Sequence, residues 1–217
     1  MPAPRSWFSI RAAASDEAEV LLFDEIGAFG VTAKAFVTEL KAHADKAIRL
    51  RVNSPGGDVF DAVAIFNALR NHPRKVTAVI EGLAASAAGV VCMAGKEVRA
   101  AGNSLFMMHN PHGLCLGTSA DMRQVAELLD RVKAPLVAAY RRSGKSDADI
   151  EKLMDAETWF SAQEAKDAGF VDFVDAPIEA AAHHDLGRFK YRHPPQPNPA
   201  DAWAPIIARF PAHRAGR

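Results

Sequence analysis

Alternating apolar and polar positions over 48–52 predict a strand. Ile48, Leu50 and Val52 alternate with arginines, and a period of two predicts a half-buried strand. A β-rich run over 76–80 predicts another strand, which we expect Gly82 to end. Two further runs, 20–23 and 104–108, predict strands of the same kind.

Apolar residues at helical spacing fill the segments between these strands. Val59, Val63, Phe66 and Leu69 predict a helix that ends near residues 71–73. The apolar run 83–95 predicts a buried helix that starts near residues 84–85. Other helices are predicted over 32–43, over 118 or 119 to 142 with an interruption at Pro135, over 146–154, and from a capping box at Ser161 and Glu164 to Gly169.

The order of these elements predicts the fold class. Strands and helices alternate, which indicates an α/β fold built from parallel βαβ units with right-handed crossovers. We expect one domain over 20–175, preceded by an N-terminal segment, 1–19. The Pro-, His- and Ala-rich tail, 176–217, is predicted to be mobile or to order only on a partner.

The composition of the chain bears on its binding partners, its cellular compartment and its cofactors. The 26 Lys and Arg residues balance 26 Asp and Glu residues, so we expect neither nucleic acid nor a membrane as partner. No apolar run approaches the roughly 20 residues that span a bilayer, and the N-terminus lacks the pattern of a signal peptide. Two cysteines fit a reducing compartment, and we expect the cytoplasm, with Cys92 a core residue. The tail histidines do not match a metal-ligand spacing, so neither a metal nor another cofactor is expected.

One serine stands among small residues at a predicted strand-to-helix junction. Ser86 lies within the Ala- and Gly-rich segment 82–89, which would let a substrate backbone approach its hydroxyl. Free N–H groups at a helix start would stabilise an oxyanion formed there. A tight helix-packing seam would have the same composition, so these residues alone leave both interpretations open.

Three other segments carry candidate chemistry. The turn 53–58 contains adjacent glycines, whose N–H groups can face a cleft, although such turns are common. His109 ends a predicted strand, where α/β sheets place ligands, yet a structural role would explain it equally, and His112 is a close competitor. Asp155 and Glu157 offer carboxylates that could orient an imidazole, or they are simply surface charges.

In combination these segments resemble the ClpP family, the proteolytic subunits of the Clp proteases, over about residues 20–175. The resemblance rests on four segments in a fixed order: Asn-Ser-Pro-Gly-Gly at 53–57, Ala-Ala-Ser-Ala-Ala-Gly at 84–89, Asn-Ser at 103–104 with Met-His-Asn-Pro at 108–111, and Trp-Phe-Ser-Ala-Gln-Glu-Ala at 159–165 with Gly-Phe-Val-Asp at 169–172. It implies a ClpP/crotonase-like fold of repeated ββα and βαβ units with a protruding handle helix.

The resemblance also implies the site and the assembly. Ser86 matches the nucleophile, His109 the general base, and the N–H groups of Gly57 and Ala87 the oxyanion hole. The third catalytic residue of the family is an Asp. Glu157 stands at that position in this chain, and Asp155 is the alternative for the same role. The implied function is that of a serine endopeptidase acting on peptides or proteins inside a homo-oligomeric chamber, with stacked rings.

Departures from the family pattern favour one branch of it. Ala87 stands where the family has a Met, and Glu157 stands where it has an Asp. The Asp-Ala-Glu-Thr-Trp-Phe segment at 155–160 and the polar tail look more like phage- and prophage-encoded ClpP-related head maturation proteases. An N-terminal pore segment that would dock a Clp ATPase is not evident, so we expect action without a dedicated ATPase. Two alternatives stay open: a crotonase-like acyl-CoA enzyme and a non-catalytic shell component with the ClpP fold.

Overall fold

The computed structural model describes residues 8–14 (backbone only), 16–178, 186, 189 and 191–194. Eight strands and six helices lie in this part of the chain. The strands are β1 (Phe8–Ala14), β2 (Glu17–Leu22), β3 (Ala47–Ser54), β4 (Val76–Ala85), β5 (Glu97–Ala101), β6 (Leu105–Met108), β7 (Thr158–Ser161) and β8 (Phe173–Asp175). The helices are α1 (Ala33–Lys41), α2 (Val59–Arg70), α3 (Ala87–Cys92), α4 (Ser119–Tyr140), α5 (Asp147–Asp155) and α6 (Ala162–Asp167).

The strands form one mainly parallel sheet, as the predicted α/β class requires. Its order is β1-β2-β3-β4-β5-β8, parallel throughout except for the antiparallel edge strand β1. Strand β4 is long enough to have two neighbours on one side. Its residues 77–80 pair with β5, and its residues 83–85 pair with β6, which in turn pairs antiparallel with β7. This fork brings the ends of β4 and β6 together.

The buried positions follow from the strand and helix periods. Ile48, Leu50 and Val52 of β3 are buried and their neighbours only partly so, which confirms the predicted alternation. Helix α2 buries Ala62, Ile65 and Leu69. Of the predicted face only Leu69 is among them, whereas Val59, Val63 and Phe66 are only partly buried. The helix was thus correctly predicted, with its most buried stripe displaced around the axis.

The segment 83–95 differs from the prediction of a single buried helix. Strand β4 continues through Gly82 to Ala85, and α3 begins only at Ala87. The reason is pairing on both sides: Ala84 stands opposite Ser54 of β3 and Phe106 of β6. These ladder contacts outweigh the helix propensity of alanine. Cys92 is fully buried on α3, as expected.

Helix α4 runs without a break past Pro135, so the predicted interruption is wrong at the level of secondary structure. Its buried residues all lie in the C-terminal turns: Leu136, Val137, Ala139 and Tyr140. Most of the helix before them is therefore unpacked against the domain, as expected of a protruding helix. Tyr140 lies edge-on to Phe106, with ring centroids 6.3 Å apart, and ties the helix base to β6.

Two predictions concern regions that the structure describes only in part. The boundaries 1–19, 20–175 and 176–217 remain predictions, and most of the tail lies outside the described residues.

Within the described ranges, no helix is both long and apolar enough to cross a bilayer. Over the same residues, no group of three or more His, Cys, Asp or Glu side chains is arranged to hold a metal ion.

Candidate active site

Ser86 occupies a strained junction between β4 and α3. Its φ is +55° and its ψ is −123°, a conformation that costs a non-glycine residue free energy and that clusters at functional sites. The Ser86 amide donates to the carbonyl of Met107 on β6 at 2.9 Å, so the adjacent strand fixes the bend. The side chain is thereby held at the carboxyl end of the sheet.

His109 and Ser86 lie close together because the strands that precede them are neighbours in the sheet. Ala85 of β4 pairs with Met107 of β6, so the residues just beyond these two leave the sheet at the same edge. Nε2 of His109 lies 2.7 Å from Oγ of Ser86. The two residues are 23 positions apart in the chain and within hydrogen-bond distance in the fold. His112, the competing imidazole, lies beside the His109 ring, with centroids 5.1 Å apart.

The environment of His109 keeps its imidazole neutral. Burial, and then the neighbouring His112, lower the pKa of His109 from 6.5 to about 4, while the Glu157 carboxylate opposes the shift. At neutral pH the ring is therefore uncharged, and one ring nitrogen carries a free lone pair. Nε2 can accept the Ser86 proton in that state.

Glu157 is the carboxylate nearest to the other side of the imidazole. It is buried, has a φ of +51°, and places Oε2 3.8 Å from Nδ1 of His109. That distance allows an electrostatic interaction but exceeds a hydrogen bond. Asp155, the alternative, is exposed and accepts hydrogen bonds from Asn110 and Lys133 instead.

The Glu157 carboxylate is held by the backbone of the C-terminal segment. Its two oxygens accept hydrogen bonds from the amides of Arg192, at 2.9 Å, and His193, at 2.7 Å. Burial on its own would raise the pKa of Glu157, but these two hydrogen bonds, together with smaller contributions from Trp159 and His109, outweigh it, so the pKa lies below its ordinary value. The group is thus an anion at neutral pH.

The glycine turn approaches the serine closely. A Cβ on Gly56 would lie 2.6 Å from the carbonyl oxygen of Ala85 and 2.9 Å from the amide nitrogen of Ala87, so only glycine fits there. In the described part of the chain, the N–H groups of Gly57 and Ala87 have no hydrogen-bond partner. The sequence pattern pointed to both.

Tyr191 is a residue of the site that the sequence reasoning missed. Its hydroxyl donates to the carbonyl of Pro55 at 2.6 Å, and its ring lies 5.9 Å from that of His109 and 5.2 Å from that of Trp159. The only signal was an aromatic side chain in a tail otherwise rich in Pro, His and Ala. The strained backbone of Ser86 and Glu157 carried no signal at all, since neither residue type is associated with positive φ.

The chain is similar in sequence to known proteins. The family model described as Clp protease matches residues 3–177. The chain is 37% identical over 133 residues to the ATP-dependent Clp protease proteolytic subunit 2 of Thermobifida fusca, which covers 60% of this chain and 66% of that protein. It is 37% identical over 153 residues to proteolytic subunit 3 of Rhodococcus jostii, covering 67% and 74%. With proteolytic subunit 3 of Streptomyces coelicolor it shares 34% identity over 155 residues, or 70% of each chain.

The matches extend over the part of the chain that carries the site. The match spans slightly less than two thirds of the Thermobifida fusca protein, and the family match covers the sheet, the helices and every candidate site residue between Gly57 and Glu157. The chain belongs to the Clp protease family.

Proposed function

We propose that this chain is a serine endopeptidase of the ClpP type, with Ser86 as nucleophile and His109 as general base. The observation that carries the proposal is the 2.7 Å contact between Oγ of Ser86 and Nε2 of His109. A buried, neutral imidazole against a serine hydroxyl is the arrangement that activates the hydroxyl for attack. The names of the relatives, which are proteolytic subunits, support the same assignment.

The proposed reaction is acyl transfer from a peptide bond. Oγ of Ser86 attacks the peptide carbonyl while Nε2 of His109 takes the hydroxyl proton. The imidazolium then gives that proton to the leaving amine, and the acyl group stays on Oγ as an ester. Water hydrolyses the ester in a second step, with His109 again acting first as base and then as acid.

The amides of Gly57 and Ala87 are proposed to bind the oxyanion of the tetrahedral intermediate. Both N–H groups lack a partner within the described residues, so neither must give up a bond to accept the negative charge. One such donor lowers the barrier of acyl transfer by roughly 3–4 kcal/mol. Glu157 is proposed to stabilise the imidazolium from the Nδ1 side, at a distance that must shorten for a direct hydrogen bond.

Ser86→Ala tests the proposal directly. We expect the variant to hydrolyse a fluorogenic peptide at no more than about one part in 10³ of the wild-type rate, as for loss of a serine nucleophile. Thr38→Ala is the control, because it removes an exposed hydroxyl on α1, a helix that carries no residue of the proposed site or contact, and it should leave the rate unchanged. Wild-type activity in Ser86→Ala would refute the assignment.

An enclosed oligomeric chamber is the second part of the proposal. The first turns of α4 and the segment before it expose several large apolar side chains: Leu114, Leu116, Met122 and Leu128. Exposed apolar clusters on a projecting element are typical of a protein–protein contact. We propose that this surface joins protomers into the assembly in which substrates are cleaved.

The narrowest part of the proposal concerns the branch of the family. The Asp-Ala-Glu-Thr-Trp-Phe segment at 155–160, which contains Glu157, and the polar tail favour the phage- and prophage-related head maturation proteases, acting without a dedicated ATPase. Cleavage of a folded protein should then be unaffected by a Clp unfoldase and ATP. ATP-stimulated degradation would contradict this branch without touching the serine chemistry.

A further inference from the structure

The short sheet formed by the end of β4 with β6 and β7 has two apolar faces. Phe106 and Phe160 point into the main core. The side chains on the opposite face form a separate apolar patch: Leu83, Leu105, Met107 and Trp159. Leaving such a patch in contact with water costs free energy, because an apolar side chain stabilises the fold only when its surface is buried.

The chain covers this patch with its own C-terminal segment. Leu186 and Tyr191 pack against the patch, and the Tyr191 ring lies edge-on to Trp159. The segment is locally ordered by its own hydrogen bonds, from the Phe189 amide to the Leu186 carbonyl and from the Tyr191 amide to the Phe189 carbonyl. We call the described residues Leu186, Phe189 and 191–194 the C-terminal strap.

Polar contacts fix the strap at both edges of the site. At one edge the Tyr191 hydroxyl donates to the carbonyl of Pro55, next to the glycine turn. At the other edge, consecutive strap amides donate to the Glu157 carboxylate, and hydrogen bonds to an ionised acceptor are among the stronger ones. The strap therefore spans from the glycine turn to the Glu157 carboxylate.

The position of the strap has a consequence for access. The His109 side chain is only 9% exposed, with the Tyr191 ring beside it, whereas Gly57 at the proposed oxyanion side is exposed. A leaving amine has to reach Nε2 of His109 to receive its proton. The strap lies on the histidine side of the site and donates hydrogen bonds to the Glu157 carboxylate, whose Oε2 stands 3.8 Å from Nδ1.

We propose that the apolar patch of Leu83, Leu105, Met107 and Trp159 is a docking site for the chain's own C-terminal strap, and that the docked strap inhibits the enzyme by covering His109 and holding Glu157. The inhibition rests on the proposed serine peptidase function, whereas the docking does not. Displacement of the strap, by substrate or by assembly, would expose the base and free the carboxylate to move toward Nδ1.

The first test measures access to His109 without requiring catalysis. Diethylpyrocarbonate modifies neutral imidazoles, and mass spectrometry locates the modified residue. Tyr191→Ala removes the ring on the patch and the bond to Pro55, and Arg192→Pro removes one amide donor to Glu157. We expect both full-length variants to raise the modification rate of His109 by about tenfold, the gain if the strap is docked in about nine molecules of ten.

Phe173→Ala is the matched control, because it truncates a half-exposed aromatic ring on the edge strand β8, opposite the β1 end of the sheet. In this variant, His109 should be modified at the wild-type rate. Equal His109 modification in wild type, Tyr191→Ala and Arg192→Pro would overturn the docking proposal.

The second test measures reactivity at Ser86 with a fluorophosphonate. Strap inhibition predicts faster labelling in Tyr191→Ala than in wild type and Phe173→Ala. Slower labelling in Tyr191→Ala, with His109 more accessible, would overturn the inhibition and assign the strap a supporting role for Glu157. An absence of labelling in every variant, again with His109 more accessible in Tyr191→Ala, would contradict the proposed peptidase function and leave the docking supported.

Discussion

At the scale of single residues, the site depends on backbone conformations that its residue types rarely adopt. Ser86 and Glu157 are the non-glycine residues with positive φ in the described chain, and both are assigned to the proposed reaction. Strained residues persist where the surrounding fold fixes them. Here the Ser86 amide is bonded to β6 and the Glu157 carboxylate to the strap.

Gly56→Ala should disrupt the site by close contact rather than by backbone strain alone. A Cβ at position 56 would collide with the backbone on either side of Ser86. We therefore expect this variant to lose fluorophosphonate labelling and to show a clear fall in thermal stability. Gly144→Ala is the control, since Gly144 also has a positive φ, +78°, but open space around it. The control should cost about 1–2 kcal/mol of stability and keep its labelling rate. Equal labelling in both variants would contradict the close approach.

The pH dependence of kcat/KM should reflect a weakly basic His109. The imidazole acts as base only when neutral, so activity falls as the pH drops through its pKa. Because burial and His112 lower the pKa of His109, the acid limb should lie below pH 6.5. The same sign applies to stability: the neutral buried ring favours the folded state above pH 6.5, and this contribution is lost as the pH falls toward 4.

Loosening the strap should move that acid limb upward. The groups around the ring are His112, Glu157, Arg192 and Tyr191. Tyr191→Ala removes burial and displaces the positive charge of Arg192, both of which lower the pKa of His109. A pH–rate profile that is identical in wild type and Tyr191→Ala would argue that the strap does not touch the base.

At the scale of elements, the fork of β4 creates the site. One half of β4 pairs with β5 and the other with β6, which delivers Ser86 and His109 to the same edge of the sheet. Helix α4 is a second distinctive element, since only its C-terminal turns are buried.

Capping substitutions should distinguish a projecting helix from a packed one. Thr118 caps α4 and Ser161 caps α6, each in a full capping box, and loss of such a cap costs about 1 kcal/mol. We expect Thr118→Ala to speed hydrogen exchange in the first turns of α4 with little change in global unfolding. Ser161→Ala should lower the midpoint of global unfolding, because α6 buries Ala162 and Ala165. Equal effects on global unfolding would contradict a free-standing start of α4.

The elements that were predicted from sequence had strong local signals. The alternation in β3, the start and end of α2 and the capping box of α6 all agree with the structure. The strands β1, β5, β7 and β8 were not predicted. The last two have only four and three residues and owe their conformation to pairing partners distant in the chain.

The candidate site could be predicted only in part, for a similar reason. Ser86, His109, Gly57 and Ala87 lie in recognisable segments, and the structure brings the serine and the histidine into contact. Tyr191 and the strap amides act through tertiary contacts, and backbone amides carry no sequence signal. The distance between Glu157 and His109 was likewise beyond the sequence, since it depends on what holds the carboxylate.

At the scale of the whole molecule, the exposed apolar side chains before and along α4 should control assembly. Leu128→Asp would place a carboxylate in the proposed contact, where burying an unpaired charge costs several kcal/mol. Native mass spectrometry should show a smaller assembly for this variant and the wild-type mass for Gln163→Glu, a charge added on α6. Unchanged assembly in Leu128→Asp would place the contact elsewhere.

The proposed chemistry of the whole molecule depends on one hydroxyl activated by one imidazole. Fluorophosphonate labelling with localisation by mass spectrometry measures this directly. The label should sit on Ser86, and its rate should fall by about 10²-fold or more in His109→Ala but not in His72→Ala, a histidine on the loop after α2. Labelling at another residue, or labelling of Ser86 that does not depend on His109, would contradict the account.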